Sequence, residues 1–195
     1  MIKTIESSGN QYAFRFEEKL YFHHKAMRSK LSKVIKRVKV LNNCSIDTAL
    51  MILSTSWGIF QILGINIYAL CGYDKSIIAY LMSPEEQVNI FYKFCDIQKL
   101  DLKKTDSELA QITNYYNEIE KKIDSKIMLI TEIENELKNN KEAYDNLIKF
   151  IERYNGAKFL SNEFVDYLLR MINEARKYIK GVIRYDKRNY LSTSD

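Results

Sequence analysis

Apolar positions in the first hundred residues come in short dense groups divided by turn formers, and the pattern changes character after that. Ile2 to Glu6 reads as the last turn of a helix, stopped by Ser7-Ser8-Gly9-Asn10. Tyr12 to Phe16 alternates and is rich in aromatic residues, which predicts a short strand. Met27, Leu31, Val34, Ile35 and Val38 recur at helical spacing, so Glu18 to Val40 is predicted mostly helical, with Asn42-Asn43 as a loop. Ser45 or Asp47 caps a helix running through Ala49 to Leu53. A dense segment from Ser54 to Gly64 follows, carrying Gly58 and Gly64, and Asp74 to Met82 predicts a short helix. Ser83-Pro84-Glu85-Glu86 is a strong helix start, with a Ser cap, Pro at the first position and acids in the first turn. That helix is predicted to reach Phe94 or Ile97.

Between Asp106 and Leu137 the pattern becomes a single stripe. Leu109, Ile112, Tyr116, Ile119, Ile123, Ile127, Ile130, Ile133 and Leu137 step by three and four through a Glu/Lys/Asn-rich background. No Pro or Gly interrupts it, and a single helix over this span would reach roughly 48 Å. Two arrangements satisfy the pattern: a helical hairpin turning at Asp124-Ser125, or one helix lying along its predecessor. Asn146 to Arg153 predicts a helix leading into Tyr154-Asn155-Gly156. Glu163 to Arg184 predicts a last amphipathic helix with Phe164, Tyr167, Leu168, Met171, Ile172 and Ala175 inward, and Asp186 to Asp195 a frayed polar tail.

Composition narrows the class. One Pro and six Gly in 195 residues favour long helices over a many-turned β fold. The longest apolar stretch, Gly58 to Leu70, is broken by Gln61 and Asn66 and is too short for a membrane span, and the N-terminus shows no secretory pattern. Cys44, Cys71 and Cys95 are odd in number and lack metal-ligand spacing, so buried thiols are expected, made in a reducing compartment. His23 and His24 are adjacent and point apart on a helix or a strand, which argues against a joint metal site. The net charge of +5 suits an anionic partner. Much of it lies in Lys25, Arg28, Lys30, Lys33, Lys36, Arg37 and Lys39, expected as a solvated face, and no nucleic-acid-binding motif accompanies them.

Three short segments carry chemistry when taken in order: Glu6-Ser7-Ser8-Gly9, Ser56-Trp57-Gly58-Ile59-Phe60-Gln61-Ile62 and Arg153-Tyr154-Asn155-Gly156. Together they resemble the active-site signatures of lysozyme-like enzymes that cut peptidoglycan. The nearest resemblance is to the N-acetylmuramidase family of phage endolysins, with soluble lytic transglycosylases and goose-type lysozyme more distant. Gly64, Asn66, Gly72-Tyr73 and Ser83-x-Glu85-x-Gln87 add agreement, so the resemblance spans roughly residues 3 to 100 and 140 to 172. Position 157 is Ala where many transglycosylases carry Gly.

The resemblance implies a mainly α, lysozyme-like fold with a small β-hairpin, in one domain over residues 1–195, and a long helical, coiled-coil-like insertion at 101–137. That insertion is expected to be partly separable from the core. The implied activity is cleavage of the β-1,4 bond between N-acetylmuramic acid and N-acetylglucosamine, with no cofactor and no metal, and with a transglycosylase outcome left open. Glu6 is the implied proton donor. Glu17, Ser56, Gly58, Gln61, Tyr154 and Asn155 are the implied substrate-side residues, Gly58 by letting a sugar approach the backbone. Trp57 adjoins Ile59, Phe60 and Ile62 and reads as core. The implied partner is the peptidoglycan glycan strand, with no nucleic acid and no membrane insertion, and the implied place of action is the cell wall after synthesis in the cytoplasm. In the family the catalytic Glu ends a long helix, whereas five residues precede Glu6 here. The alternative is therefore a catalytically inactive, lysozyme-derived binding or assembly protein, engaging a protein partner or a second copy through the insertion.

Overall fold

Side-chain caps open the helices where short polar residues precede apolar runs. The computed structural model describes residues 6–191, with side chains through residue 177. Glu6 and Ser7 are helical, and the rest of the turn expected at Ile2 to Glu6 lies outside the described residues. Over the described span the chain is mainly α and lysozyme-like in class, with one three-stranded antiparallel sheet. It forms two compact units, Ile2–Lys99 and Leu100–Asp195.

In the first unit, strand β1 (Phe14–Phe16) leads into helices α1 (Glu18–Ala26) and α2 (Ser32–Leu41). The helical run predicted for Glu18 to Val40 is thus divided. Turns at 27–31 keep its backbone bonded, Leu31 N–H to Met27 O at 3.1 Å among them. Helix α3 (Ile46–Leu53) is capped by Ser45, whose hydroxyl accepts from Thr48 N–H at 3.0 Å. Ala49, Leu50, Ile52 and Leu53 are buried, and α1 and α2 both pack on it, so α3 is the centre of this unit.

Strands β2 (Thr55–Trp57) and β3 (Ile62–Leu63) form a hairpin within the apolar segment, where the sequence shows no strand alternation, and β1 adds to its open edge. Phe14 faces Trp57, Phe16 faces Thr55, and Trp57 faces Ile62. The aromatic alternation of β1 points outward: Phe14 and Phe16 are both exposed. Gly64 ends β3 against α3, where a Cβ would sit 2.0 Å from Ile52 O. A π-helical turn (Asn66–Leu70), α4 (Ile77–Met82) and α5 (Pro84–Ile97) complete the unit. Ser76 and Ser83 cap α4 and α5, with Pro84 at the first helical position. Arg37 donates to the carbonyls of Gly72 (2.8 Å) and Tyr73 (2.7 Å), tying α2 to the loop before α4.

In the second unit, α6 (Leu102–Glu120) and α7 (Lys126–Asn139) form the helical hairpin, with the turn at 121–125 and Ser125 as the cap of α7. A 3₁₀ turn (Lys141–Tyr144), α8 (Asp145–Phe150), a π-helical turn (Ile151–Asn155) and α9 (Asn162–Leu191) follow. The last helix therefore continues past the expected end at Arg184, into the span expected to fray; residues 192–195 lie outside the described residues. Leu109 and Ile112 of α6 are buried, and α6 packs on α8 and α9, whose Leu147, Ile148, Phe164, Leu168 and Ile172 are buried too. Glu108 accepts from Asn146 Nδ2 and from Leu147 N–H, both at 2.7 Å, capping α8. Arg176 makes a forked pair with Glu120 at 3.1 and 2.5 Å.

The stripe does not run through as one face. The turn at 121–125 resets the helical phase, so Leu129, Ile133 and Leu137 are buried in α7 while Ile127 is 77% exposed. The buried half of the stripe is thereby core of the second unit. Ile112→Ala is expected to lower its unfolding free energy by about 2–5 kcal/mol, the cost of a large-to-small change in a packed core. Ile127→Ala should stay within about 0.5 kcal/mol of the parent. Urea unfolding followed by far-ultraviolet circular dichroism checks both, and equal effects would contradict the phase shift.

Candidate active site

The run of turn formers after Glu6 folds back on itself. Ser8 and Gly9 take left-handed φ of 54° and 78°, Asn10 N–H donates to Ser7 O at 3.0 Å and Ala13 N–H to Asn10 O at 3.2 Å. Asn10 Oδ1 accepts from Tyr12 N–H at 2.9 Å. Glu6, half-buried, stands at the end of its helical turn. Its neighbour Ser7 donates its hydroxyl across 52 positions of sequence to Ile59 O at 2.8 Å. The first signature is thus bonded to the loop of the second.

That loop, residues 58–61, joins β2 to β3. Gly58 and Gln61 both take left-handed φ, 76° and 50°. Gly58 N–H donates to Ala13 O at 2.8 Å. The Gln61 amide donates to Ala13 O at 3.1 Å and to Gly58 O at 2.9 Å, so this side chain fastens the loop on itself and on the strand entrance. Ser56 is buried at the middle of β2, opposite Arg15 and Leu63. Trp57 donates its indole N–H to Ile52 O at 2.9 Å, as a core residue would.

Gln87, one turn into α5, holds the arrangement together. Fully buried, it accepts from Ile59 N–H at 2.7 Å. It donates to the carbonyls of Gln11, Tyr80 and Leu81, each at 3.2 Å. A Cβ on Gly58 would stand 2.3 Å from Gln87 Oε1 and 3.1 Å from the Tyr80 ring. The space before the Gly58 backbone is filled by Gln87, which gives this glycine a packing reason that the sequence reading assigned to a sugar. Beside it, Glu86 accepts from Tyr73 Oη and Lys75 Nζ. Those two bonds, Lys75 first, hold its carboxyl below the usual range. The Tyr80 hydroxyl is buried without a partner among the described residues.

Glu17 sits where β1 ends and α1 begins. Its N–H donates to Ser54 O at 2.9 Å, and its carboxylate pairs with Arg15 Nε at 2.6 Å on a largely exposed surface. Such a pair contributes little stability, so the backbone bond does the anchoring. His24 lies under the same corner, with Nδ1 and Ser54 Oγ 2.8 Å apart. Burial, and then the neighbouring His23, depress its pKa.

Glu6, Glu17, Ser56, Gly58 and Gln61 thus all belong to the first unit, while Tyr154 and Asn155 belong to the second. There the Tyr154 ring stacks on Phe150, with centroids 4.9 Å apart. Gly156 ends the π-helical turn with φ of 81°. Asn155 and Gly156 line a shallow concavity of about 410 Å³ with Ala157, Lys158, Ser161 and Glu163. Gln87 was visible in the sequence as part of a matching stretch, but nothing there marked it as the hub. No group of three or more His, Cys, Asp or Glu side chains able to hold a metal occurs among the described residues.

Comparison with known proteins adds two matches. The family model described as N-acetylmuramidase fits residues 2–128. An endolysin of Enterobacteria phage PRD1 is 34% identical over 94 residues, which cover 48% of this chain and 63% of that protein. The chain therefore spans somewhat less than two thirds of that relative's length. No solved structure matches. The family match ends before Arg153, so the third signature stands outside it.

Two outcomes follow from this geometry. Gln87→Ala strands Ile59 N–H and three carbonyls, and a buried group left unpaired costs about 1–3 kcal/mol. The first unit should lose several kcal/mol, and amide exchange at Ile59 should accelerate; unchanged exchange there would contradict the hub. His24 carries the second. With its folded pKa below the ordinary 6.5, the unfolded chain binds the extra proton first. Stability should be full above about pH 6.5 and fall as the pH drops through that value toward the folded pKa. Urea midpoints read by the fluorescence of Trp57, the single tryptophan, should show this slope, and His24→Gln should flatten it.

Proposed function

The chain belongs to the N-acetylmuramidase family, and on that footing we propose that it cleaves peptidoglycan glycan strands at the β-1,4 bond between N-acetylmuramic acid and N-acetylglucosamine. The observation that carries the reading is the Ser7 to Ile59 bond, which fixes the helix end bearing Glu6 against the Gly58–Gln61 loop. The resemblance to the PRD1 endolysin over 94 residues supports the same substrate class. The place of action would be the bacterial cell wall.

Breaking a glycosidic bond needs a proton on the departing oxygen and stabilisation of an oxocarbenium-like transition state. Glu6 is the proton donor in this reading. It stands half-buried at the end of its helical turn, next to the Ser7 hydroxyl that bonds to Ile59. Ser56, Gly58 and Gln61 are assigned to the glycan side by resemblance. Glu17 is assigned the corner between β1 and α1 and contact with the glycan, not nucleophilic attack. Tyr154 and Asn155 are assigned to the glycan by resemblance. Water resolves the intermediate, so products with reducing N-acetylmuramic acid ends are expected.

Glu6→Gln keeps shape and hydrogen bonding but cannot deliver a proton. General acid catalysis contributes about 10²–10⁴-fold. Clearing of a suspension of purified peptidoglycan should therefore fall by at least that factor, with the thermal midpoint nearly unchanged. Clearing at the parent rate would remove Glu6 from the role. Mass analysis showing only 1,6-anhydro ends would assign the chain to the transglycosylase outcome. Absence of clearing by the parent protein would favour the inactive scaffold.

A further inference from the structure

The positive charge of this chain is concentrated in one place. Between Glu18 and Asp47 there are eight basic residues and no acidic one, so the rest of the chain carries a slight negative surplus. Lys19, Lys25, Arg28, Lys30, Lys33, Lys36 and Lys39 are all exposed. Among the described residues none of the seven has a carboxylate within ion-pair distance, although six such pairs exist elsewhere. Arg37 is occupied on the carbonyls before α4, and the Lys25 ammonium lies 5.7 Å from the Tyr21 ring centre. Charges left without a carboxylate partner beside one another repel.

Helix α2 presents them in order. Ile35 and Val38 face the core, and Lys33, Lys36 and residue 40 share the opposite face at helical spacing. Residue 40 is Val, 78% exposed in the midst of these lysines. A purely solvated face or a site for a polyphosphate chain gains nothing from an aliphatic group there. Lys36, Lys39, Val40, Asn43 and Cys44 surround a concavity of about 480 Å³ at the end of this helix, within the range of small-molecule sites.

We propose that the basic face of α2 binds the surface of an anionic phospholipid bilayer. The lysines meet the negative headgroups, a headgroup phosphate seats between Lys36 and Lys39, and Val40 enters the headgroup boundary. No helix among the described residues is long and apolar enough to cross a membrane, so the contact lies on the surface, as for other basic amphipathic segments. It uses none of the residues assigned to glycan cleavage and stands whether or not that activity holds.

Flotation of the protein with phosphatidylcholine vesicles, with and without phosphatidylglycerol, tests it. Binding should appear only with phosphatidylglycerol and vanish at high salt. The triple change Lys33→Gln, Lys36→Gln, Lys39→Gln should weaken it by about a hundredfold, at roughly one unit of headgroup attraction per lysine. Val40→Asn should weaken vesicle binding several-fold while leaving retention on duplex DNA untouched. Both variants sit on the solvent side of α2, and circular dichroism verifies their fold. Equal binding to both vesicle types, or no effect of the triple change, overturns the proposal. So does a Val40→Asn variant with full vesicle binding, which would leave a general polyanion surface in its place.

Discussion

One buried carboxamide carries the geometry of the first unit. Gln87 is closed off from water, so each of its polar atoms must find a partner in the protein, and it finds four backbone groups from three separate segments. The requirement works in both directions. The turn after Glu6, the loop of the β2–β3 hairpin and the end of α4 each hold a backbone group that would be stranded without it. Gly58 is the other half of the arrangement, because any side chain there would occupy the space of the Gln87 amide. The Ser83 cap and Pro84 fix the start of α5 and hence the height of Gln87 above the hairpin.

Seen from the acid, support arrives indirectly. Ser7 bonds to Ile59, and Ile59 bonds to Gln87. Glu17 is fixed through its own N–H to Ser54, which also meets His24. The two glutamates therefore rest on different parts of the unit, one on the hairpin loop and the other on the end of α3. The family match continues past Lys99 through α6, so it is not confined to the unit that contains Glu6.

Legibility followed locality. Ser45 and Ser83 act within a few residues, and the helices they cap begin where short polar side chains meet apolar runs. The hairpin of the second unit was one of two arrangements the pattern allowed. What escaped were features fixed by distant partners or by backbone phase. The β2–β3 hairpin has strands of three and two residues joined by two left-handed positions, too short for alternation to register. The stripe from Leu109 to Leu137 was read across a turn that resets the helix, which left Ile127 outside. The break at residues 27–31 carries neither Gly nor Pro. Glu6 as a candidate acid was legible only by resemblance, since one glutamate before a turn is chemically ordinary.

The long reach of these bonds also sets a schedule. A ribosome delivers the chain from its N-terminus at about 5–20 residues per second, so Glu6 emerges several seconds before the residues that fasten its surroundings. Until Ile59 and then Gln87 have cleared the exit tunnel, the helix end bearing the acid has nothing to close upon, and non-local contacts of this kind form late. The helix end bearing Glu6 thereby stays unfastened until residue 87 has been made, a delay written into the spacing between residues 7, 59 and 87.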